Sequence, residues 1–555
     1  MKQIKILLAG FAAMAISFVS CTNDFESANA NPNELNEINP EYLFNTSSYY
    51  TLNAFCGSMK KVLLANYSHY YGGATGGQVQ RYGNQGSTND SYWKNVYNYA
   101  IFPVHFIQTQ MENDEQYHNR VLIAKIWENY LFSQAVSIWG GIPKSQAFNA
   151  GERVPYDKES DIYYAMLNDL KACADGLKMD GDVYKADPIF PSGQKSSDLL
   201  KWKKFANSLR LRYAMRISDA NPQKAQEEFE KALAADGGII ASGADDALIP
   251  YLDIAFDFGG ESYSDYRRNA LSQRLYGNDP RNNPSFICST FYNQLFNTGD
   301  PRFFAIIRFY FDQIMSTTST EGRIDITEEV LAKNMAHPRD PGAFFYEPWP
   351  EAYESDLIKE LQESNPAIEK ISMDTETEPK LASNFLEGEN PGVVITSAEV
   401  DFLLAEAALK GWNVAGSVEE HYRKGVRAAM DFLTDNYGCD KITDEEFDNY
   451  MANNIIGYTV EQKKASINTQ AWILHFTNPL ECWANLRRSN YPQLKSPAEY
   501  GFSLVLTGGA AIPVRLCYPV LESSYNKKNY EEALERMGGN NSWNTPVWWD
   551  KNNVQ

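Results

Sequence analysis

Apolar residues recur every three to four positions in residues 40–240 and again after residue 395, which predicts amphipathic helices in both regions. The helices predicted in the N-terminal region cover residues 40–68, 90–111, 120–138, 157–177, 199–218 and 227–234. The clearest one places Ile123, Trp127 and Tyr130 on one stripe and stops at Gly140, shortly before Pro143. We expect Asp157 to cap the helix that follows.

Helix-start signals mark the C-terminal region. Thr396 and Ser417 each precede a glutamate by three residues, Glu399 and Glu420, as in a capping box. The two helices that they open flank Gly411 and form a predicted αα-hairpin of about forty residues, the size of one helical repeat unit. A further helix over 461–488 is expected to break at Asn478-Pro479.

The middle of the chain differs from both helical regions. Residues 241–395 contain 11 of the 25 prolines, which disfavours long helices. We predict an irregular α+β insertion with a strand over 306–314 and an acidic exposed loop over 374–378. Residues 491–555 are predicted to be mostly coil packed on the surface, because their tryptophans are too apolar for a disordered tail.

The N-terminus has the pattern of a bacterial lipoprotein signal. Lys2 and Lys5 precede an apolar run over residues 6–19, which is too short to span a membrane. Ser20 and Cys21 then resemble a lipobox, although Phe18 stands where leucine is usual. The prediction is a signal peptide over 1–20, an acylated Cys21 and a polar tether over 21–40; the alternative is an ordinary secretory signal. No later apolar stretch is long enough for a transmembrane helix.

Charge and composition limit the function. The 555 residues carry a net charge of −21, which argues against a nucleic-acid binder, and 43% are apolar, as in a globular protein. The remaining cysteines form no C-x-x-C pair, and we expect mostly free, buried thiols, although the sequence leaves their pairing open. They are Cys56, Cys173, Cys288, Cys439, Cys482 and Cys517.

Catalytic motifs are absent from the sequence: it has no H-E-x-x-H, no G-x-S-x-G and no phosphate-binding loop. Glu399, Asp401 and Glu406 are assigned to capping and salt bridges on a helix. Glu481 is assigned, with Arg487 and Arg488, to a structural charge network. We therefore predict no enzymatic activity and no cofactor, while a structural calcium ion is left open.

Aromatic-rich loops are the remaining candidates for function. Aromatic residues make up 13% of the chain, and two clusters flank glycine- and proline-rich loops. Such rings can stack on the C–H faces of sugars or on peptide side chains, whereas the competing interpretation is packing of the loops against the scaffold. The candidate ligand-binding residues are Tyr71, Arg81, Tyr82, Trp93, Tyr346 and Trp349.

Several segments resemble the SusD/RagB family of Bacteroidetes outer-membrane lipoproteins, and most closely its second large branch. Residues 202–212 match the pattern W-x-x-F-A-N-S-L-x-L-R, 399–407 match E-x-x-F-L-x-A-E-A, and 481–492 match E-x-W-x-x-x-R-R-x-x-Y-P. Asn278 to Arg281, Asp300 to Arg302 and Val547 to Asp550 also fit. The order of these motifs makes the resemblance specific, and it extends over nearly the whole chain.

The resemblance implies a mainly α fold, a TPR-like helical-repeat scaffold carrying a variable ligand-binding excursion. We expect one domain over 41–555, with the scaffold in 41–240 and 396–490, the insertion in 241–395 and a C-terminal surface segment in 491–555. The family implies a cell-surface protein, lipid-anchored in the outer membrane, that binds a nutrient and delivers it to a SusC-like TonB-dependent barrel. A glycan is preferred as the ligand. A peptide ligand, a lipid-anchored glycoside hydrolase and a helical adaptor remain alternatives.

Overall fold

The structure is a computed structural model. It describes residues 39–57, 67–72, 86–149, 153–191, 193–254, 266–272, 286–308, 310–312, 323–325, 340, 363, 379–501 and 511–552. Residues Leu43–Gln555 form one compact unit. The predicted signal peptide, Cys21 and the predicted acidic loop over 374–378 lie outside the described residues. No helix in the described part of the chain combines the length and apolar character needed to cross a bilayer.

Helices dominate the N-terminal region, as the periodicity predicts. The described helices are α1 (Pro40–Leu52), α2 (Gly86–Asn95), α3 (Phe102–Met111), α4 (His118–Trp139), α5 (Glu159–Gly176), α6 (Lys195–Arg216) and α7 (Pro222–Leu233). A π-helical segment, Val96–Ile101, joins α2 to α3. Consecutive helices α4, α5, α6 and α7 pack against one another, so this region is a stack of antiparallel helix pairs.

The second helical region begins with α8 (Ser289–Asn297) and the short α9 (Phe303–Ile306), and it continues after residue 395. Its remaining described helices are α10 (Ser397–Leu409), α11 (Val418–Tyr437), α12 (Asp444–Asn453), α13 (Val460–Leu474), α14 (Pro479–Ser489), α15 (Glu522–Tyr525) and α16 (Lys527–Arg536). The predicted αα-hairpin is α10 packed on α11. The helix predicted over 461–488 is broken before Pro479, which begins α14.

Short antiparallel strands lie between and beside the helices. The described strands are β1 (Tyr71–Gly72), β2 (Ala247–Ile249), β3 (Phe286–Ile287), β4 (Ile307–Arg308), β5 (Tyr310–Asp312), β6 (Arg323–Asp325), β7 (Lys380–Leu381) and β8 (Gly392–Ile395). Four of them form one sheet in the order β1-β3-β7-β4, while β2 pairs with β8 and β5 with β6. The strand predicted over 306–314 is observed as β4 and β5 in its described part.

Two predicted helix caps differ in the structure. Asp157 does not cap α5, whose preceding residue is Lys158. Its carboxylate instead accepts hydrogen bonds from the backbone N–H groups of Lys144 and Ser145, at 2.8 and 2.7 Å, and so holds the turn after α4. Ser417 and Glu420 form the full predicted capping box.

The capping box predicted at Thr396 and Glu399 is only half present. The hydroxyl of Thr396 accepts from the backbone N–H of Glu399, but the Glu399 carboxylate turns inward to Arg212.

The C-terminal segment is more helical than predicted, because it contains α16. Cys173, Cys288, Cys439 and Cys482 are free and buried, as expected, and Cys517 is free and half-buried.

The motif residues meet in a buried ion network. Arg212 of α6 donates to both oxygens of Glu399 on α10, with Nε–Oε1 at 2.5 Å and Nη2–Oε2 at 2.7 Å. Arg216 pairs with Glu481 of α14, and Arg488 of α14 makes a bidentate pair with Glu406 of α10. Such pairs fix the helices in one register. The prediction that these carboxylates are structural is therefore confirmed, but the predicted grouping of Glu481 with Arg487 is wrong, because Arg487 donates to backbone oxygens of Trp483, Ser137 and Val514.

Candidate ligand-binding site

A cavity of about 250 Å³ opens where the α2–α3 region meets the C-terminal segment. Its described lining comes from four parts of the chain, so the helix stack brings together residues that are far apart in sequence. The lining residues are Trp93, Tyr97, Pro143, Ala147, Phe148, Arg153, Val154, Glu522, Tyr525 and Asn526.

Trp93 is half-buried in the lining of this cavity, and other aromatic rings fix its orientation. Its ring centroid lies 5.0 Å from those of Tyr97 and Trp139 and 6.0 Å from that of Tyr156, to which it is nearly parallel. Tyr518 meets it edge-on at 6.2 Å. A tryptophan held in this way keeps its free surface in a constant place, which limits the entropy lost on binding a flat ligand.

Polar groups around the tryptophan are also held in place. The hydroxyl of Tyr156 donates to Oε2 of Glu522 at 2.6 Å, and the amide of Asn526 donates to the backbone oxygen of Val154 at 2.8 Å. The hydroxyl of Tyr97 donates to the backbone oxygen of Pro143 at 2.7 Å. Burial, and secondarily the charge of Glu522, raises the pKa of Tyr97 and of Tyr156, so both phenols remain protonated donors.

The rim of the cavity is more open. Tyr525 exposes 71% of its surface, and Arg153 is exposed beside it in the lining. Phe148, also in the lining, has a φ of +67°, a left-handed conformation that a side chain as bulky as phenylalanine rarely adopts. Its ring lies 6.0 Å from that of Tyr97. Strain of this kind often accompanies a site, since the surrounding structure must hold the residue in place.

The lining suits binding better than hydrolysis. Glu522 is the one carboxylate among the described lining residues, whereas glycoside hydrolysis ordinarily uses a pair. The carboxylates singled out from the sequence, Glu399, Glu406 and Glu481, are buried in ion pairs with arginines. Within the described residues, no group of three or more His, Cys, Asp or Glu side chains is placed to hold a metal ion.

A larger cavity of about 690 Å³ lies along α10 and α11. Half of its lining residues are charged, and the three basic side chains among them are all in ion pairs. Arg427 pairs with Asp431, Lys424 with the buried Asp401, and Arg423 with Asp448. The described lining of this larger cavity contains no tryptophan, so it offers no counterpart of Trp93.

The candidate residues from the sequence are distributed unevenly. Trp93 lines the smaller cavity. Tyr71 lies in β1, is 4% exposed and packs near Tyr70, so its ring face is not open to a ligand in this structure. Four candidates lie outside the described residues: Arg81, Tyr82, Tyr346 and Trp349.

Sequence reasoning missed several lining residues. Tyr97 lies four positions after Trp93, a spacing that could have suggested a shared helical face. Phe148, Glu522 and Tyr525 carry no local signal, because only the fold brings their segments beside α2.

The chain is a helical-repeat scaffold with a cavity lined in part by aromatic residues, and comparison with known proteins identifies its family. Residues 32–519 match the SusD-like family model, described as starch-binding and associating with the outer membrane. The chain therefore belongs to the SusD-like family, whose members are generally binding proteins associated with the outer membrane. No curated protein sequence matches the chain.

Solved structures agree over nearly the full length. A SusD-like protein of Bacteroidetes is 36% identical, with a TM-score of 0.84 over 93% of this chain and 100% of the other. A chitin-binding protein is 26% identical, with a TM-score of 0.73 over the same shares. A chitin-binding SusD homologue from Flavobacterium johnsoniae is 19% identical, covers 93% and 98%, and at a TM-score of 0.66 shows the shared fold alone. These matches confirm the mainly helical, TPR-like fold predicted from the motifs.

Proposed function

We propose that this protein is a cell-surface lipoprotein that binds a glycan in the Trp93 cavity and delivers it to a SusC-like TonB-dependent barrel. The observation that carries the proposal is the SusD-like family match over residues 32–519. The barrel partner and the delivery step follow from the resemblance of the sequence to that family. No cofactor is part of the proposal.

The chemistry of the cavity favours a sugar as the ligand. The part of Trp93 that lines the cavity supplies an apolar surface against which the C–H groups of a pyranose ring can pack. Glu522 and Arg153 supply an acceptor and donors for hydroxyl groups around that face. A few convergent polar groups in a mostly apolar pocket are typical of small-molecule sites. Arg81, Tyr82, Tyr346 and Trp349 remain proposed contacts.

Two measurements test the proposed function. The intact lipoprotein, tagged at its C-terminus, is recovered from native membranes in mild detergent, and the purified protein is titrated with malto- and chito-oligosaccharides. We expect a large TonB-dependent barrel in near-equal amount and saturable binding of at least one oligosaccharide series. Recovery of the protein alone from membranes that contain the barrel would contradict delivery. Turnover of a bound oligosaccharide would favour the hydrolase alternative.

Changing Trp93 to alanine should weaken oligosaccharide binding at least tenfold, because the stacking face is removed while the polar rim remains. A tenfold loss corresponds to about 1.4 kcal/mol, within the range expected for one aromatic contact. Isothermal titration measures the affinity, and thermal unfolding checks the fold. The matched control is Trp412→Ala, which removes a half-buried tryptophan packed against Phe229, away from the cavity. Unchanged affinity with a large fall in Tm would assign Trp93 to the core.

Changing Cys21 to alanine should release the protein from membranes, because the lipid would be its only anchor. The sequence has no apolar stretch of transmembrane length after the signal peptide. Fractionation followed by immunoblotting measures the membrane-bound share, with Cys517→Ala as the control for loss of a thiol elsewhere in the chain. Persistent membrane association of the Cys21 variant would count against the lipobox.

A further inference from the structure

The cavity of about 690 Å³ along α10 and α11, the α10–α11 cavity, differs in its chemistry from the Trp93 cavity. Its wall is formed by residues 241–246, the first turns of α10 and one face of α11, and its volume is typical of a small-molecule site. Among its described lining residues five are acidic and three are basic, so the cavity has an excess of negative charge. The acidic residues are Asp246, Asp401, Glu420, Asp431 and Asp435.

Two of these carboxylates have no basic partner. The three basic side chains of the lining are held in ion pairs with other acids, and Glu420 closes the capping box of α11. Asp246 and Asp435 form no ion pair with any residue that the structure describes. The unbalanced negative charge therefore lies at the end of the cavity where α10 begins and α11 ends.

The fold stabilises the negative charge of Asp246 poorly. Its Oδ1 accepts a hydrogen bond from the backbone N–H of Ser397 at 2.7 Å. Burial, with a smaller contribution from the neighbouring carboxylates of Asp245 and Asp435, outweighs this bond and raises the pKa of Asp246 to about 7. A cation bound beside Asp246 would favour the ionised form and relieve the repulsion between the carboxylates.

Asp401 supplies a second acceptor, further along α10. Its side chain is 2% exposed, and its Oδ2 has no hydrogen-bond partner in the described part of the chain. Its Oδ1 lies 3.2 Å from Nζ of Lys424 and 3.4 Å from Nδ1 of His421. Because 56% of the Lys424 side chain is exposed, a ligand cation can displace it. A buried carboxylate oxygen without a donor costs free energy that an N–H group of a ligand recovers.

We propose that the α10–α11 cavity binds an aliphatic diamine, with one ammonium group at Asp246 and Asp435 and the other at Asp401. Ser397, which binds Asp246, and Asp401 are four residues apart on one face of α10, a rise of about 6 Å. A short chain of methylene groups can bridge such a distance. This site lies apart from the Trp93 cavity, so the inference goes beyond the proposed function and does not depend on it.

The rest of the lining suits this ligand better than it suits a metal ion. Ala428 and Phe432 of α11 give the cavity apolar surface for the methylene groups. No three His, Cys, Asp or Glu side chains converge as a metal site requires in the part of the chain that the structure describes. An ammonium group needs no such convergence, because it carries three N–H donors that reach separate acceptors.

Isothermal titration of the purified protein with diaminobutane, at pH 8 where Asp246 is ionised, tests the inference. We expect saturable binding to the wild type, about tenfold weaker binding of butylamine, which has one ammonium group, and no binding of butanediol, which has none. Asp246→Asn and Asp401→Asn should each weaken the binding of diaminobutane about tenfold. The matched control is Glu445→Gln, which removes an exposed carboxylate of α12 outside the lining and should change nothing.

Lys424→Met distinguishes a ligand site from a purely structural cluster. It removes the internal ammonium group that competes for Asp401, so it should tighten the binding of diaminobutane several-fold. Thermal unfolding shows whether each variant is folded, and Lys424→Met keeps the test decisive if Asp401→Asn is not. Absence of diaminobutane binding to the wild type, equal affinities for butylamine and diaminobutane, or tighter binding of Mg²⁺ would each overturn the inference. None of these three results would affect the proposed glycan function.

Discussion

Replacing Arg212 with methionine should lower the free energy of unfolding by about 3–5 kcal/mol, the loss typical when one partner of a buried ion pair is removed. Arg212 binds Glu399 through two hydrogen bonds, and its Nε lies 3.7 Å from Oε2 of Glu481. Its removal leaves Glu399 without a close cation. His475 lies 3.9 Å from Glu399 but cannot replace the arginine at neutral pH, because burial lowers its pKa to about 4.

Urea unfolding followed by circular dichroism measures this loss. The matched control is Arg423→Met, because Arg423 forms an ion pair with Asp448 in which both side chains are half exposed or more. Such a pair contributes at most about 1 kcal/mol. Adding Glu399→Gln to the Arg212 variant should recover part of the loss, since Glu481 still has Arg216. Equal costs for Arg212→Met and Arg423→Met would contradict the network.

The helices that could be predicted from the sequence are those in which apolar, buried residues repeat every three to four positions. In α11 the buried residues Tyr422, Val426, Ala429 and Leu433 repeat at helical spacing after a capping box. Helix α16 was missed although Tyr530, Ala533, Leu534 and Met537 repeat at helical spacing and pack against the core, because the stripe is only two turns long. The break before Pro479 was predictable because proline cannot donate the helical hydrogen bond.

The short strands and the ion pairs depend on partners that are distant in sequence. Tyr71 pairs with Ile287 and Phe286 with Lys380, and strands of two residues carry no periodicity of their own. Similarly, the motifs predict that certain glutamates and arginines lie on helices and serve in caps and salt bridges. Which carboxylate meets which guanidinium is decided by helix packing, as when Arg212 meets Glu399 across 187 residues.

The same limit applies to the candidate site. Trp93 could be singled out from the aromatic content of its segment, and it does line a cavity. Tyr71, from a neighbouring aromatic cluster, is buried instead, because β1 is paired in a sheet. Glu522 accepts a hydrogen bond from Tyr156, 366 residues away in sequence, and no local sequence pattern predicts that contact.

The Glu406–Arg488 pair should make the stability depend on pH in acid. Both oxygens of Glu406 accept from Arg488, at 2.6 and 2.7 Å. Burial alone would raise the pKa of Glu406, but Arg488 outweighs it and lowers the pKa from 4.5 to about 2. A carboxyl group whose pKa is lower in the folded state stabilises the fold above its unfolded pKa. This contribution is therefore complete above about pH 4.5 and is lost as the pH falls toward 2.

Glu406→Gln removes that dependence and should itself be strongly destabilising at neutral pH, by about 3–5 kcal/mol, because Arg488 is left buried without a counter-charge. The stability difference between the wild type and this variant should shrink by about 2 kcal/mol between pH 6 and pH 3, because Glu406 takes up a proton in the unfolded chain while it stays ionised in the folded protein. Urea midpoints measured across this range provide the comparison. Glu419→Gln, which removes one partner of the exposed pair with Lys463, is the control and should change little. A constant difference between wild type and Glu406→Gln at every pH would mean that folding leaves the pKa of Glu406 unchanged, which contradicts the pairing with Arg488.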